Sequence, residues 1–527
     1  MNCLLKTFLV SLAGIQGLTL AASLRPKLLV GIMVDQLRTD YIEDLREMLG
    51  EGGFRRLMDE GVYFTDVDFK VPGGDAASAS AIIQTGSYPK QNGISGSLVF
   101  DPNTNTLKSV FNDEAYIGNF TSETYSPSAL RVTTLTDEIT IENKGKSKIH
   151  SIAPDASQAI VLAGHTGNSA FWINDESGRW SSTTYYSPLP TILQNKNYNS
   201  PLISRLDTMR WMPLRKDEPY PYVSSDEIDM SFRHTFSRSD KDVFSLYKNS
   251  PYVNRDITDA AIEYLNNLNI GKNAETTDVL NLGYTLAVYP NSGNSNYRYE
   301  LQDSYLRLDR DLQRLFSALD KQVGKDNVLV YLFSTGYFTE PFSDYEEFKV
   351  PGGTFSVKRA LSLLNAFLSA KYGNGAYVNN FADHQVFFSK SVLEEKNLDI
   401  NKIAEESRDF LVKMSGVSDA FILSDLMSLS GSHLDGYRKA VDPKTAGDII
   451  IEFNPGWKVI DDSRYPPVTI DNKVTAYKAP GFIMGADIAP RKISETVEAV
   501  SIAPTIAGKL RIRSPNSAET KPLDLLK

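Results

Sequence analysis

The chain has 527 residues, 41% hydrophobic and 23% charged, the balance of a globular protein long enough for several domains or one large α/β core. Its formal net charge of −10, with no Lys/Arg-rich block, argues against a nucleic-acid partner and against loose attachment to an anionic membrane. The single cysteine, Cys3, lies at the extreme amino end, which removes disulfides, thiolate metal sites and cysteine nucleophiles from the body of the chain.

Residues 1–22 read as a secretory signal peptide. One positive charge precedes a mostly apolar run from Thr7 to Leu20, and small residues follow at Ala21, Ala22 and Ser23. Ser11, Gly14, Gln16 and Gly17 interrupt that run, so it is too short to span a bilayer, and no membrane span is expected in the mature chain. The predicted location is the periplasm or the cell envelope.

Lys27 to Asp35 is a continuous aliphatic run that stops on a carboxylate, the pattern of a strand buried on both faces of a parallel sheet. Ligand clefts in open α/β sheets lie beyond the carboxyl ends of the strands, which makes Asp35 a site candidate, with capping of residues 36–43 as its alternative role. Gly61 to Phe69 reads as a second strand. The turn Val71 to Asp75 then leads into the small-residue segment Ala76 to Ile83, a helix start suited to a nucleophile or a bound anion. Ile149 to Pro154 and Ala159 to Gly164 read as two further strands.

From about 165 to 250, Trp172, Trp180, Tyr185, Tyr186, Trp211, Tyr220 and Tyr222 are interleaved with Pro, Ser and Asn, and periodicity disappears. This predicts an aromatic-rich insertion over the core that buries its own rings. Regular structure resumes with a helix over Asp256 to Leu268, a strand from Thr277, a long helix over Tyr299 to Val323 and a buried strand over Asn327 to Phe333. A second, α/β insertion is expected over about 340–445. Gly447 to Phe453 and Pro480 to Met484 are read as returning to the main sheet, and Val497 to Leu510 as a last helix.

Several stretches together resemble the alkaline phosphatase superfamily, in particular the secreted monoesterase branch related to nucleotide pyrophosphatase/phosphodiesterases. They are Lys27 to Tyr41, Gly52 to Leu57, Thr85-Gly-Ser-Tyr-Pro89, Gly164 to Trp172, Asp303 to Asp311, Glu452 to Trp457 and Val500 to Thr505. The similarity covers residues 26 to 527. It implies a single α/β domain over 23–527, with an alkaline-phosphatase-like core, a doubly wound central sheet between helical layers and the two large insertions.

Members of that family hold two zinc ions with Asp and His side chains, and the ions activate a Thr or Ser nucleophile against a phosphate ester. Carried over residue by residue, the resemblance keeps Asp35 as a metal carboxylate. The nucleophile position, nine residues before Thr85, is Ala76. The remaining metal positions fall on Val288, Ser292, Thr335, Gly336 and Lys478, or on Tyr477 with a one-residue slip. The phosphate-binding Asn falls on Ser97, and the phosphate-binding Lys and Arg fall on Asp155 and Ser157. No two of the five histidines lie at chelating spacing, and His165 is read as a hydrogen-bonding residue.

The main reading is therefore a catalytically inactive family member, with no cofactor, serving as a binding or structural subunit for envelope or outer-membrane-associated protein partners. One alternative is a zinc-dependent phosphatase or phosphodiesterase with a shifted site and Ser78 or Ser80 as nucleophile. The other is a glycan- or lipid-binding protein that uses the aromatic insertion.

Overall fold

The computed structural model describes residues 25–524 except 103, 216–231, 291–296, 340–348, 429–430, 465–466 and 471–472. The signal-peptide reading of residues 1–22, Ser292, Tyr220 and Tyr222 lie outside the described residues.

A ten-stranded mixed sheet organises the chain. Its strands in chain order are β1 (Leu28–Asp35), β2 (Val62–Phe64), β3 (Gly118–Asn119), β4 (Ile149–Ile152), β5 (Ser169–Ile173), β6 (Trp180–Thr183), β7 (Asp278–Thr285), β8 (Val328–Ser334), β9 (Gly481–Gly485) and β10 (Arg491–Ile493). Across the sheet they run β10-β2-β9-β8-β1-β7-β4-β5-β6-β3. β1 lies at the centre, parallel to both β7 and β8, while β9 runs antiparallel to β8.

β1 alternates between two cores. Leu28, Val30, Ile32 and Val34 face one side, and Leu29 and Met33 face the other. That is why the strand is apolar throughout: a strand covered on both faces has no solvent side on which to place polar residues. The helices α3 (Pro251–Asn267) and α4 (Tyr297–Gln322) supply Ile257, Tyr264, Leu308 and Leu312 to the first core. The second receives Ala79 and Ile82 from α1 (Ala76–Thr85), Leu162 from α2 (Ala156–Ala163) and Ile502 and Ile506 from α5 (Ile502–Leu510). The expected α/β architecture, a large central sheet with helical layers on both faces, is the one observed.

Several local expectations are corrected. Ala159 to Gly164 is the body of helix α2, because a short apolar run reads the same in a buried helix and a buried strand. Trp172 and Trp180 do not belong to a loop-rich cover; they sit in β5 and β6 of the central sheet. Ile449–Phe453 joins a separate four-stranded sheet with Val378–Ala382, Gln385–Phe388 and Val417–Ile422. The segment Val497 to Ser501 is a short strand and a 3-10 turn before α5 begins.

The four-stranded sheet carries its own core, in which Leu364 and Leu368 from the helix Val357–Tyr372 meet Val386, Ile449 and Ile451. In the other insertion, Trp211 packs edge-on against Phe232 and Tyr289 and is almost fully buried. The buried Asp303 carboxylate on α4 accepts hydrogen bonds from the Trp211 indole (2.7 Å), the Leu214 amide (2.6 Å) and the Arg307 guanidinium (2.6 Å). Six residues on, Asp309 accepts from the Gly50 and Phe54 amides (2.7 and 2.8 Å). The Asp303 to Asp311 motif is thus architectural: its carboxylates satisfy backbone donors in loops that have no ladder of their own.

Candidate functional site

The cleft lies where β1 and β8 end. The Asp35 Oδ1 accepts a hydrogen bond from the Thr335 hydroxyl at 2.9 Å, and its Oδ2 accepts a longer one from the Gln36 side-chain amide at 3.4 Å. The Gln36 backbone amide donates to the Thr335 Oγ1 (3.2 Å), and the Gln36 Oε1 accepts from the Thr339 amide (3.0 Å). Gln36 holds a φ of 61°, a left-handed conformation that a non-glycine residue adopts only when its surroundings hold it there.

The next turn carries Arg38. Its guanidinium pairs with Asp40 and lies 3.5 Å from the centre of the Tyr477 ring. The Thr39 amide donates to the Lys478 carbonyl at 3.0 Å, which places Lys478 beside the end of β1. Lys478 is exposed and makes no ion pair among the described residues.

The start of α1 borders the same space. Asp75 is its N-cap: one carboxylate oxygen accepts from the Ser78 amide (2.9 Å) and the other from the Ser97 amide (2.6 Å). The Ser78 hydroxyl accepts from the Asp75 amide (2.9 Å) and donates to the Asp75 carbonyl (3.1 Å), closing a capping box. The amides of Ala76 and Ala77 are left without partners among the described residues, the ordinary state of the first turn of a helix. Tyr337 connects the two halves. Its ring lies against Gly74, where an added Cβ would sit 2.5 Å from the ring and 2.6 Å from the Ser78 Oγ. The segment Thr335 to Tyr337 therefore touches Asp35 at one end and the start of α1 at the other.

The structure brings together Asp35, Thr335, Gly336, Lys478, Ala76 and Ser97. It also disposes of the two fallback nucleophiles. Ser78 is spent on the cap under Tyr337, and Ser80 is wholly buried inside α1. Val288 is half-buried in the segment that follows β7. The set does not fit a pair of zinc ions. It contains one carboxylate and no imidazole, and no group of three or more His, Cys, Asp or Glu among the described residues could hold a metal. Gly336 cannot be replaced by a ligand in place, since an added Cβ would lie 2.3 Å from the Phe69 ring.

Four of the five histidines are engaged elsewhere, and the side chain of His433 lies outside the described residues. His150 meets the Ser169 hydroxyl at 2.6 Å, and burial pushes its pKa down to about 4. His234 meets Glu300 at 2.6 Å, and His384 packs against Phe453. The His165 Nδ1 contacts the Asp137 carboxylate (2.8 Å) and its Nε2 the Leu130 carbonyl (3.0 Å). Both neighbours are acceptors, so the ring fits best as the doubly protonated imidazolium.

The hydrogen bond to Asp137 raises the His165 pKa above its ordinary value, against the opposing effect of burial. Burial, the largest influence on Asp137, pushes its carboxyl up, but the bonds from His165 and the Thr134 amide outweigh it and the net shift is downward. A raised histidine contributes stability that is complete below the ordinary histidine range and is lost as pH rises through the folded value. The Asp137 contribution is lost only on strong acidification. The urea midpoint of the wild type is therefore expected to fall between about pH 6 and pH 9, and that of His165→Gln to stay flat over the same window. Equal slopes for the two proteins would remove His165 as the cause.

Asp155 and Ser157, the remaining predicted positions, stand at the start of α2. Asp155 does not face an open clamp. It pairs at 2.5 Å with the Lys248 ammonium, which is 7% exposed and also pairs with Asp175 at 2.8 Å. Lys248, Gln36 and Thr339 escaped the sequence reading because only tertiary contact brings them to their partners. Asp75 was legible: a turn ending in Asp with Ser three residues on is a helix-start signal.

Comparison with known proteins completes the picture. Residues 29–482 match the family described as type I phosphodiesterase / nucleotide pyrophosphatase. Alkaline phosphatase PhoV of Synechococcus elongatus is 29% identical over 532 residues, covering 95% of this chain and 93% of its own. Alkaline phosphatase PafA of Elizabethkingia meningoseptica is 28% identical, covering 95% and 94%. The crystal structure of wild-type PafA superposes with a TM-score of 0.81 over 95% of this chain and 99% of its own. A PafA variant with one threonine, one asparagine, one lysine and one arginine replaced superposes equally well. In that protein the threonine and asparagine are spaced as Ala76 and Ser97 are here, and the lysine and arginine as Asp155 and Ser157.

These relatives correct the main functional reading. Two proteins that match this chain over nearly its whole length are named alkaline phosphatases, so the expectation of a catalytically inactive binding subunit is not supported and the phosphatase alternative fits better. The chain belongs to the type I phosphodiesterase / nucleotide pyrophosphatase family.

Proposed function

We propose that this chain hydrolyses phosphate esters in the cleft at the ends of β1 and β8, with groups other than the family's nucleophile and zinc ligands. The observation that carries the reading is the near-full-length match to two alkaline phosphatases. Local geometry supports it. The free Ala76 and Ala77 amides and the unpaired Lys478 ammonium offer positive charge to phosphoryl oxygens.

With a methyl group at position 76 and Ser78 committed to the cap, the attacking group is water. Asp35 is the half-buried carboxylate at the cleft, and its Oδ2, whose only protein donor among the described residues is the Gln36 amide at 3.4 Å, is the oxygen left to accept the proton. The water oxygen forms the new P–O bond, and the ester oxygen leaves and takes a proton from solvent. No step is routed through a metal, because the residues do not fit one. Delivery to the periplasm or envelope belongs to the same proposal, on the residues 1–22. No helix among the described residues is long and apolar enough to cross a membrane. Envelope protein partners remain part of the proposal on the same ground of compartment.

Initial rates with p-nitrophenyl phosphate and bis(p-nitrophenyl) phosphate test the proposal. Asp35→Asn is expected to lower kcat by about 10²-fold or more, the usual worth of a general base, and Ser78→Ala to keep most of the rate. No release above buffer with either ester, or loss in Ser78→Ala with none in Asp35→Asn, would overturn it.

A further inference from the structure

We propose that Asp35, Gln36 and Thr335 form a hydrogen-bonded clasp that occupies the place of a metal ion, and that this cleft does not take up zinc. In a metal site a carboxylate turns its oxygens toward the cation. Here both Asp35 oxygens already have protein donors, the Thr335 hydroxyl at 2.9 Å and the Gln36 amide at 3.4 Å. Thr335 is itself saturated, since its oxygen also accepts from the Gln36 backbone amide at 3.2 Å. Thr335 is fully buried, so the ring of contacts is closed to solvent on that side.

Gln36 is the piece that completes the ring. It holds the left-handed conformation and donates from both its backbone and its side chain, while its Oε1 is fixed by the Thr339 amide at 3.0 Å. A left-handed residue whose backbone amide and both side-chain polar atoms are engaged marks a position that its surroundings hold in place. Two further features oppose an ion. Phe69 fills the space that a side chain at Gly336 would need, and Lys478, whose backbone carbonyl takes the Thr39 amide just past β1, adds a positive charge that opposes a dication. Gln36 and Thr335 are positioning residues in this account, and the clasp stands whether or not the cleft turns over esters.

The test uses metal content and thermal midpoint, neither of which depends on activity. Wild-type protein purified without chelator is expected to carry far less than one equivalent of zinc by elemental analysis. Its Tm is expected to agree within about 1 °C in EDTA and in added zinc, as for a protein with no linked site. Thr335→Asp replaces the donor with a second carboxylate against Asp35, a like-charge pair that a cation relieves. Its Tm is expected to be several degrees lower in EDTA and to recover with zinc, while Thr335→Val is lowered and indifferent to zinc. About one equivalent of zinc in the wild type, or a wild-type Tm that rises by several degrees with zinc, overturns the proposal. A Thr335→Asp protein unmoved by either reagent overturns the role of the Thr335 hydroxyl. If Thr335→Asp does not fold, the wild-type measurements alone decide.

Discussion

Gly31→Ala is expected to destabilise the protein by about 4 kcal/mol, a large part of the 5–15 kcal/mol that a folded domain has in total. Gly31 lies in the middle of β1, and a Cβ there would sit 2.2 Å from the Asn281 Oδ1 and 2.2 Å from the Tyr331 hydroxyl. Neither neighbour is free to move. The Gln84 amide donates to the Tyr331 hydroxyl at 2.6 Å, Tyr331 donates to the Asn281 Oδ1 at 3.3 Å, and the Asn281 amide donates to the Leu162 carbonyl at 2.6 Å. This chain of bonds ties α1, β8, β7 and α2 across the centre of the sheet, and all its side chains are buried. The methyl group therefore adds overpacking to the loss of at least one buried hydrogen bond. Urea unfolding of Gly31→Ala, Tyr331→Ala and the double variant measures it. The double variant is expected to lose less than the sum of the singles, since removing the ring removes one of the two clashes and opens space into which Asn281 can shift. Strict additivity would mean that the strand tolerates the methyl group.

The second large effect is expected at Asp303. Its replacement by Ala leaves the buried Trp211 indole and the half-buried Leu214 amide and Arg307 guanidinium without the acceptor they share. Breaking one partner of a buried charged network costs about 3–5 kcal/mol. The damage is local in origin, because Trp211 and Leu214 belong to the insertion and Asp303 to α4, so it separates the insertion from the core. Loss of near-ultraviolet signal from Trp211 at urea concentrations below the main transition is the expected sign, with Asp303→Asn retaining part of the tie. A single unshifted transition in Asp303→Ala would show that the insertion is held by its apolar contacts alone.

Sequence carried the centre of this fold well and its margins poorly. β1 and β8 were legible because strands buried on both faces leave long aliphatic runs between polar boundaries. α2 was misread for the same reason: Ala159 to Gly164 is apolar on every side because it packs against both the sheet and α1. β5 and β6 were hidden by their tryptophans, which belong equally well to a strand near a sheet edge or to a loop.

The site was legible only as positions. Ala76 and Ser97 keep the spacing of the threonine and asparagine replaced in PafA, and Asp155 and Ser157 that of the lysine and arginine, while the interval between the two pairs is four residues shorter here. The contact between Asp35 and Thr335, 300 residues apart in the chain, exists because β1 and β8 pair in parallel register, and the sequence does not display register. The expectation of inactivity inferred function from the loss of particular residues. What the sequence did not show is that Asp35 is bonded by Thr335 and Gln36; Lys478 was placed at a metal position by the resemblance.

The central claim is a phosphate-ester site that works through this chain's own groups, and one measurement tests it most directly. It is the kcat/KM of the wild type for p-nitrophenyl phosphate before and after exhaustive dialysis against EDTA. Turnover above buffer, with the same kcat/KM in both samples, is expected. A rate that falls to background after dialysis and returns with added zinc would contradict it.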